Sequence, residues 1–142
     1  MLGRRELSEQ QVRQRLARKA YEPDEIDDAI ARLRQERAID DQRVAGAIAR
    51  TETAIRKRGK VRVRMQLERA GIAKETVKQA LDDTFQAMDE EALLESSLRK
   101  RLRGRETIAD DREFQRLFRY LISQGFESDR VMQTLRAKRK PR

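Results

Sequence analysis

Cysteine, histidine and tryptophan are absent from the 142 residues, and only two Pro and six Gly interrupt them. Without thiols there are no disulfides and no thiolate zinc sites. Without imidazoles, histidine acid–base chemistry and zinc fingers are excluded too. Aromatic residues make up 4% of the chain, too few for a platform of stacked bases, so contact with a nucleic acid is expected to run through the phosphate backbone. No window approaches the ~18 consecutive apolar residues of a membrane span. The opening Met1-Leu2-Gly3-Arg4-Arg5-Glu6-Leu7-Ser8 lacks the apolar stretch of a signal peptide. The expectation is a soluble cytoplasmic protein with no membrane partner.

What the chain has in quantity is charge. Lys and Arg number 34 against 25 Asp and Glu, a formal +9, and charged residues reach 42% while hydrophobic ones stop at 37%. So thin a supply of apolar residues suits amphipathic helices stacked in a slender body more than a sphere. A pI near 10.4 favours polyanions or acidic protein surfaces as partners.

Strand patterns are nearly missing, and apolar residues recur at helical spacing instead. The stripes predict an all-α fold of eight helices at 8–20, 24–36, 42–58, 60–70, 74–86, 89–103, 111–124 and 128–139. Val44, Ile48 and Ile55 form the stripe of the third. Pro23 suits a first helical turn, where its missing N–H would have no partner anyway. The pairs Asp40-Asp41 and Asp110-Asp111 are candidate N-caps. Gly59, Gly71 and Gly125 each follow a stripe, where a left-handed residue would end the helix.

One pattern is written three times. Leu16, Leu67 and Leu121 are spaced by 51 and 54 residues. Four residues before each stands Val12, Val63 or Leu117. Four after comes a small residue, Ala20, Gly71 or Gly125, and next a large apolar one, Tyr21, Ile72 or Phe126. Further on come Ile26, Val77 or Val131, and then Ile30, Leu81 or Leu135. The template describes a helix, a tight turn and a second helix, with the residue after the turn plugging the angle between them. Further helices at 42–58 and 89–103 precede the second and third copies. The repeating unit therefore has three helices, and such units need neighbours to complete their cores. The divisions expected are 1–40 for an incomplete first repeat, 41–87 for the second, and 88–142 for the third with its basic tail.

Taken in order, these pieces resemble the RecX family, regulators of the RecA recombinase, over roughly Ser8 to Lys138. The resemblance rests on Ser8-Glu9 with Leu16, on Ile39-Asp40-Asp41-x-Arg43-x-Ala45, on Arg58-Gly59-Lys60 leading into Leu67-x-x-x-Gly71-Ile72, and on Leu121-x-x-x-Gly125-Phe126. It implies tandem three-helix repeats in an elongated, curved array. It also implies a non-enzymatic protein that binds the RecA filament on single-stranded DNA and inhibits its ATPase, recombination and SOS-related activities. Two features depart from the family. A further helix usually precedes Ser8-Glu9, so the first repeat here lacks a helix, and Val44 stands where an aromatic is common.

The partner-binding candidates are cationic. Arg56, Lys57, Arg58, Lys60, Arg62 and Arg64 put six basic residues into nine positions, and Arg99, Lys100 and Arg101 open a run of five in seven. Such runs position phosphates without reading sequence. Reversing Arg58, Lys60, Arg62 and Arg64 to Glu is expected to weaken binding while leaving helicity intact. Nothing points to catalysis: Gly59-Lys60 lacks the rest of a phosphate loop, and the adjacent Asp pairs diverge by about 100° on a helix. No catalytic residue, cofactor or metal ligand is assigned, and a monomer is expected. The alternative reading is a stand-alone helix-turn-helix-like protein on duplex DNA. It is disfavoured because Glu75, Asp82 and Asp83 make the second helix of the middle copy acidic.

Overall fold

The computed structural model describes residues 6–139. All eight expected helices are among them: α1 (Glu9–Arg18), α2 (Pro23–Gln35), α3 (Asp41–Arg50), α4 (Lys60–Arg69), α5 (Lys74–Gln86), α6 (Glu90–Leu102), α7 (Asp111–Ser123) and α8 (Ser128–Ala137). Their starts follow from local chemistry. Ser8 begins α1 with a capping box, its hydroxyl accepting from the Gln11 N–H and the Gln11 side chain accepting from the Ser8 N–H. Asp40, Asp89 and Asp110 accept N–H groups at the starts of α3, α6 and α7. Pro23 is the first residue of α2.

The threefold template returns as one hydrogen-bonded corner made three times. After α1 the N–H groups of Ala20 and Tyr21 donate to Ala17 and Leu16. After α4 those of Gly71 and Ile72 donate to Glu68 and Leu67, and after α7 those of Gly125 and Phe126 donate to Ile122 and Leu121. Each is a Schellman turn with its third residue from the end a leucine. The left-handed residues are Ala20 (φ 66°), Gly71 (φ 76°) and Gly125 (φ 98°). Gly59 corrects the expectation. It is extended, at φ −85°, and caps α4, while Lys57 (φ 55°) takes the left-handed turn before it. Glycine is needed at 59 for proximity, since a methyl there would lie 2.5 Å from the Gly125 carbonyl oxygen.

Two corners serve as sockets for the N-terminus of another helix. Ser8, at the start of α1, donates through its hydroxyl to the Ala70 carbonyl at the end of α4. At the start of α4, the N–H groups of Gly59 and Val61 donate to the Gln124 and Gly125 carbonyls, at 2.8 and 3.0 Å. In the second joint the free donors of one helix meet the free acceptors of another, and the two dipole ends are complementary. The first corner receives no such helix, and Tyr21 is 49% exposed where Ile72 and Phe126 are buried. The expected plug at Tyr21 is therefore absent, because the unit that would cover it is absent from the described residues.

A π-helical turn, Thr51–Ile55, continues α3. The slower winding rotates later residues off the α register. It leaves Ile55 outward, 69% exposed, while Glu52 and Thr53, four residues on from Ile48 and Ala49, stay on the inner face and are buried. This overturns Ile55 as a member of the Val44–Ile48 stripe. The Thr53 hydroxyl donates back to the Ala49 carbonyl at 2.8 Å, the kind of bond that loosens an α-helix.

The buried apolar residues divide in two. One cluster, running from Val44 to Leu135, joins α3 through α8, with Val63, Leu67, Leu94, Leu98 and Leu121 wholly enclosed. A smaller one holds only Ile26, Ile30 and Ile39, with Val12, Leu16 and Leu33 half-buried against it. Polar contacts join the first unit to the rest: Glu6 with Arg43 at 2.7 Å and the Glu9 N–H to Asp41 at 2.9 Å. The accessible surface is 10395 Å², against about 7600 Å² for a compact protein of this mass, as an array of small units requires.

Candidate nucleic-acid and partner interface

The Arg56–Arg64 segment leaves the π-turn, bends through Lys57 and enters α4. Its six cations are not equivalent. Glu52, buried in the π-turn, takes Arg58 at 3.0 Å and Arg56 at 3.5 Å, and its carbonyl accepts the Arg58 N–H at 2.9 Å. The carboxylate thus closes the loop that carries the cluster. Arg62 lies in the α4–α7 joint, where its guanidinium donates to the Ser123 carbonyl at 3.3 Å. Its Cβ stands where a methyl on Gly125 would come within 2.4 Å. Lys57, Lys60 and Arg64 have no ion pair among the described residues. Arg58 and Arg62 therefore belong partly to the fold, and reversing all of Arg58, Lys60, Arg62 and Arg64 would disturb it. The clean probes of surface charge are Lys57, Lys60 and Arg64.

The sequence also sets Lys60, Arg62 and Arg64 against the positive end of their own helix. The α7 carbonyls that dock there supply a partial negative charge and offset that conflict.

Arg99, Lys100 and Arg101 occupy the last turn of α6, exposed and favoured by its negative end. Arg101 lies 4.0 Å over the Tyr120 ring. Tyr120 and Ser123 are one turn apart on α7 and are linked by a 2.6 Å bond from the Ser123 hydroxyl to the Tyr120 carbonyl. Arg62 holds Ser123 and Arg101 covers Tyr120, so two basic segments far apart in sequence converge on the last turn of α7, about 5 Å long.

Nearby charges are largely compensated. Arg105 grips Glu113 through two bonds of 2.9 and 2.6 Å. Together with the Ala109 N–H, this lowers the Glu113 carboxyl to about 2 and raises the Arg105 guanidinium further above its ordinary value. Arg130 faces Glu90 at 3.5 Å, Lys138 faces Glu95 at 3.2 Å, and Arg139 pairs with Asp111. Among the described residues no three metal-capable side chains gather, and no described helix is long and apolar enough to cross a membrane.

Sequence reasoning missed Glu52, the Ser123 carbonyl and Tyr120. Only Glu52 left a signal, as a carboxylate four residues beyond Ile48 on an otherwise apolar register.

Comparison with known proteins points one way. The profile of the RecX first three-helix domain matches residues 1–33, and that of the RecX second three-helix domain matches residues 40–81. The regulatory protein RecX of Syntrophotalea carbinolica is 30% identical over 129 residues, covering 90% of this chain and 84% of that protein. That of Mannheimia succiniciproducens is 33% identical over 127 residues, covering 89% and 81%. The chain spans only 49% of the RecX of Geobacillus kaustophilus, to which it is 29% identical. Among solved structures, a regulatory protein RecX superposes with a TM-score of 0.73 at 21% identity, over 92% of this chain and 64% of that one. RecX from Lactobacillus salivarius gives 0.72 at 18% identity, over 92% and 86%. These two likenesses concern the fold.

Proposed function

The chain belongs to the RecX family of regulatory proteins, and on that premise we propose that it binds the RecA filament on single-stranded DNA and inhibits it. The observation that carries this reading is the convergence of the two basic segments on the last turn of α7. It brings Arg62 and Arg101 to one helix turn, and their neighbours in the two basic segments, Lys57, Lys60, Arg64, Arg99 and Lys100, suit a nucleoprotein surface of phosphates and carboxylates. An array of stiff units spreads such contacts over neighbouring filament subunits. Holding subunits together hinders the movements that ATP hydrolysis, strand exchange and SOS signalling require. In this reading the protein is a cytoplasmic monomer without a cofactor, organised in units at 1–40, 41–87 and 88–142.

Helix-turn-helix readout of duplex DNA has less support. Glu75, Asp82 and Asp83 are exposed on α5, where they would repel phosphates in a groove.

The test is fluorescence anisotropy of the labelled chain mixed with RecA filaments preformed on single-stranded DNA. The wild type is expected to bind, more weakly as salt rises, and the Lys57→Glu, Lys60→Glu, Arg64→Glu triple variant about tenfold less tightly. Absence of binding at stoichiometric concentrations would refute the proposal.

A further inference from the structure

The corner after α1 is the unoccupied member of a set of three. The Ala70 carbonyl takes the Ser8 hydroxyl, and the Gln124 and Gly125 carbonyls take N–H groups of α4. Their counterparts, the Lys19 and Ala20 carbonyls, receive no hydrogen bond among the described residues. Beside them the Tyr21 ring is 49% exposed, against 6% for Ile72 and 5% for Phe126 in the same slot. Arg15, Arg18 and Lys19 line the last turn of α1, all exposed and with no ion pair among the described residues. Arg13 is already matched by Asp27 at 2.7 Å. Of the acids that follow, Glu25 is engaged by the Glu22 N–H at 3.1 Å, while Glu22 and Asp24 remain exposed.

A helix N-terminus cannot settle here as it does at the other two corners. Methyl groups on Gly71 and Gly125 would lie 2.4 Å from Gln10 Oε1 and from the Arg62 nitrogen, and Ala20 carries that methyl. A flat ring laid on Tyr21 needs no such approach.

We infer that this corner binds an unpaired nucleobase of a single strand, stacked on Tyr21, with Arg15, Arg18 and Lys19 on the flanking phosphates. An exocyclic amino group of the base donates to the Lys19 or Ala20 carbonyl. Stacking tolerates any sequence, because every base has a π-face, and the cations add affinity without readout. The inference rests on the reading that the chain works on single-stranded DNA. It adds a site at the far end of the array from the basic segments on α7.

Tyr21 and Tyr120 are the two tyrosines, and there is no tryptophan. In a Tyr120→Phe variant, intrinsic fluorescence therefore reports Tyr21 alone. A short oligodeoxycytidylate is expected to quench it, whereas an abasic strand of equal length and charge leaves it unchanged. In the full chain Tyr21→Leu is expected to lower affinity for the oligodeoxycytidylate about tenfold, and Tyr21→Trp to retain it. Circular dichroism should be the same for all, since the side chain is not enclosed. Equal quenching by the abasic strand, or undiminished affinity of Tyr21→Leu, would overturn the site. If Tyr21→Leu is silent while Lys60→Glu with Arg64→Glu weakens binding, this site falls and the filament reading stands. If the wild type binds no free single strand at all, this site falls, and the filament reading is decided by the anisotropy titration with preformed filaments.

Discussion

Glu52 does for the basic loop what a metal or a disulfide does elsewhere: it holds two turns of chain together from within. Its side chain is 7% exposed and that of Arg58 18%, so removing the acid strands a charge with little access to water. Glu52→Ala is expected to cost about 2 kcal/mol in urea unfolding, after allowance for the solvent around Arg56. A cost near zero would mean the pair is incidental. The left-handed residues make opposite predictions at matched positions. Gly125→Ala forces a methyl to 2.4 Å from the Arg62 backbone nitrogen and should destabilise by at least about 2 kcal/mol. Ala20→Gly relieves a strained φ in open space and should raise the unfolding free energy in urea by up to about 1 kcal/mol, net of the added freedom of the unfolded chain. Glu113 contributes a pH dependence. Its carboxyl titrates at about 2 in the folded chain, below the usual 4.5, so its stabilisation is complete above the higher value and fades as pH falls toward the lower. The stability gap between wild type and Glu113→Gln should therefore be widest near neutrality and close between those two values. A gap that stays constant down to pH 2 would contradict the pairing. None of these roles could be read from composition, since each depends on how the chain turns: locally at Glu52, Ala20 and Glu113, and by bringing up the distant Arg62 at Gly125.

At the scale of helices the sequence was highly legible. Eight stripes mark eight helices, and Pro23, Asp40 and Asp110 mark the starts of three of them, because side-chain period and local hydrogen bonding are encoded by neighbours in the chain. The π-turn was not legible. It coincides with local side-chain pairing, Glu52 buried against Arg58 and Thr53 bonded back to Ala49, while the apolar spacing runs on to Ile55 as in an unbroken α-helix. Tyr21 misled as well: the template places it in a buried slot, but the slot exists only where another unit covers it. This asymmetry also grades the leucine anchors. Leu67 is fully enclosed, so Leu67→Ala should cost about 2–5 kcal/mol. Leu16, half-buried against the small cluster, should cost less than half as much, with α1 and α2 the first to lose protection in hydrogen exchange. Equal costs would show that the first unit is as well packed as the others.

The molecule as a whole reuses one device. A helix start fits a helix-end corner, and the fit at Gly71 and Gly125 carries the array from α1 to α8, leaving a free corner at one end. Sequence spacing exposed the repeat but not the joint, because Gly59 and Gly125 are distant in the chain and only their contact explains the glycine at 59, which is not left-handed. The candidate site behaves likewise. Both basic segments were visible as charge, while the division into cations held by the fold and cations left free needed Glu52, Ser123 and Tyr120 in place. The measurement that tests the account most directly is the steady-state rate of ATP hydrolysis by RecA on single-stranded DNA as this chain is titrated in. A rate that falls with substoichiometric amounts of the wild type, and is spared by the Lys57→Glu, Lys60→Glu, Arg64→Glu variant, is the predicted result. A rate unchanged at equimolar wild type, or one depressed equally by the variant, would contradict it.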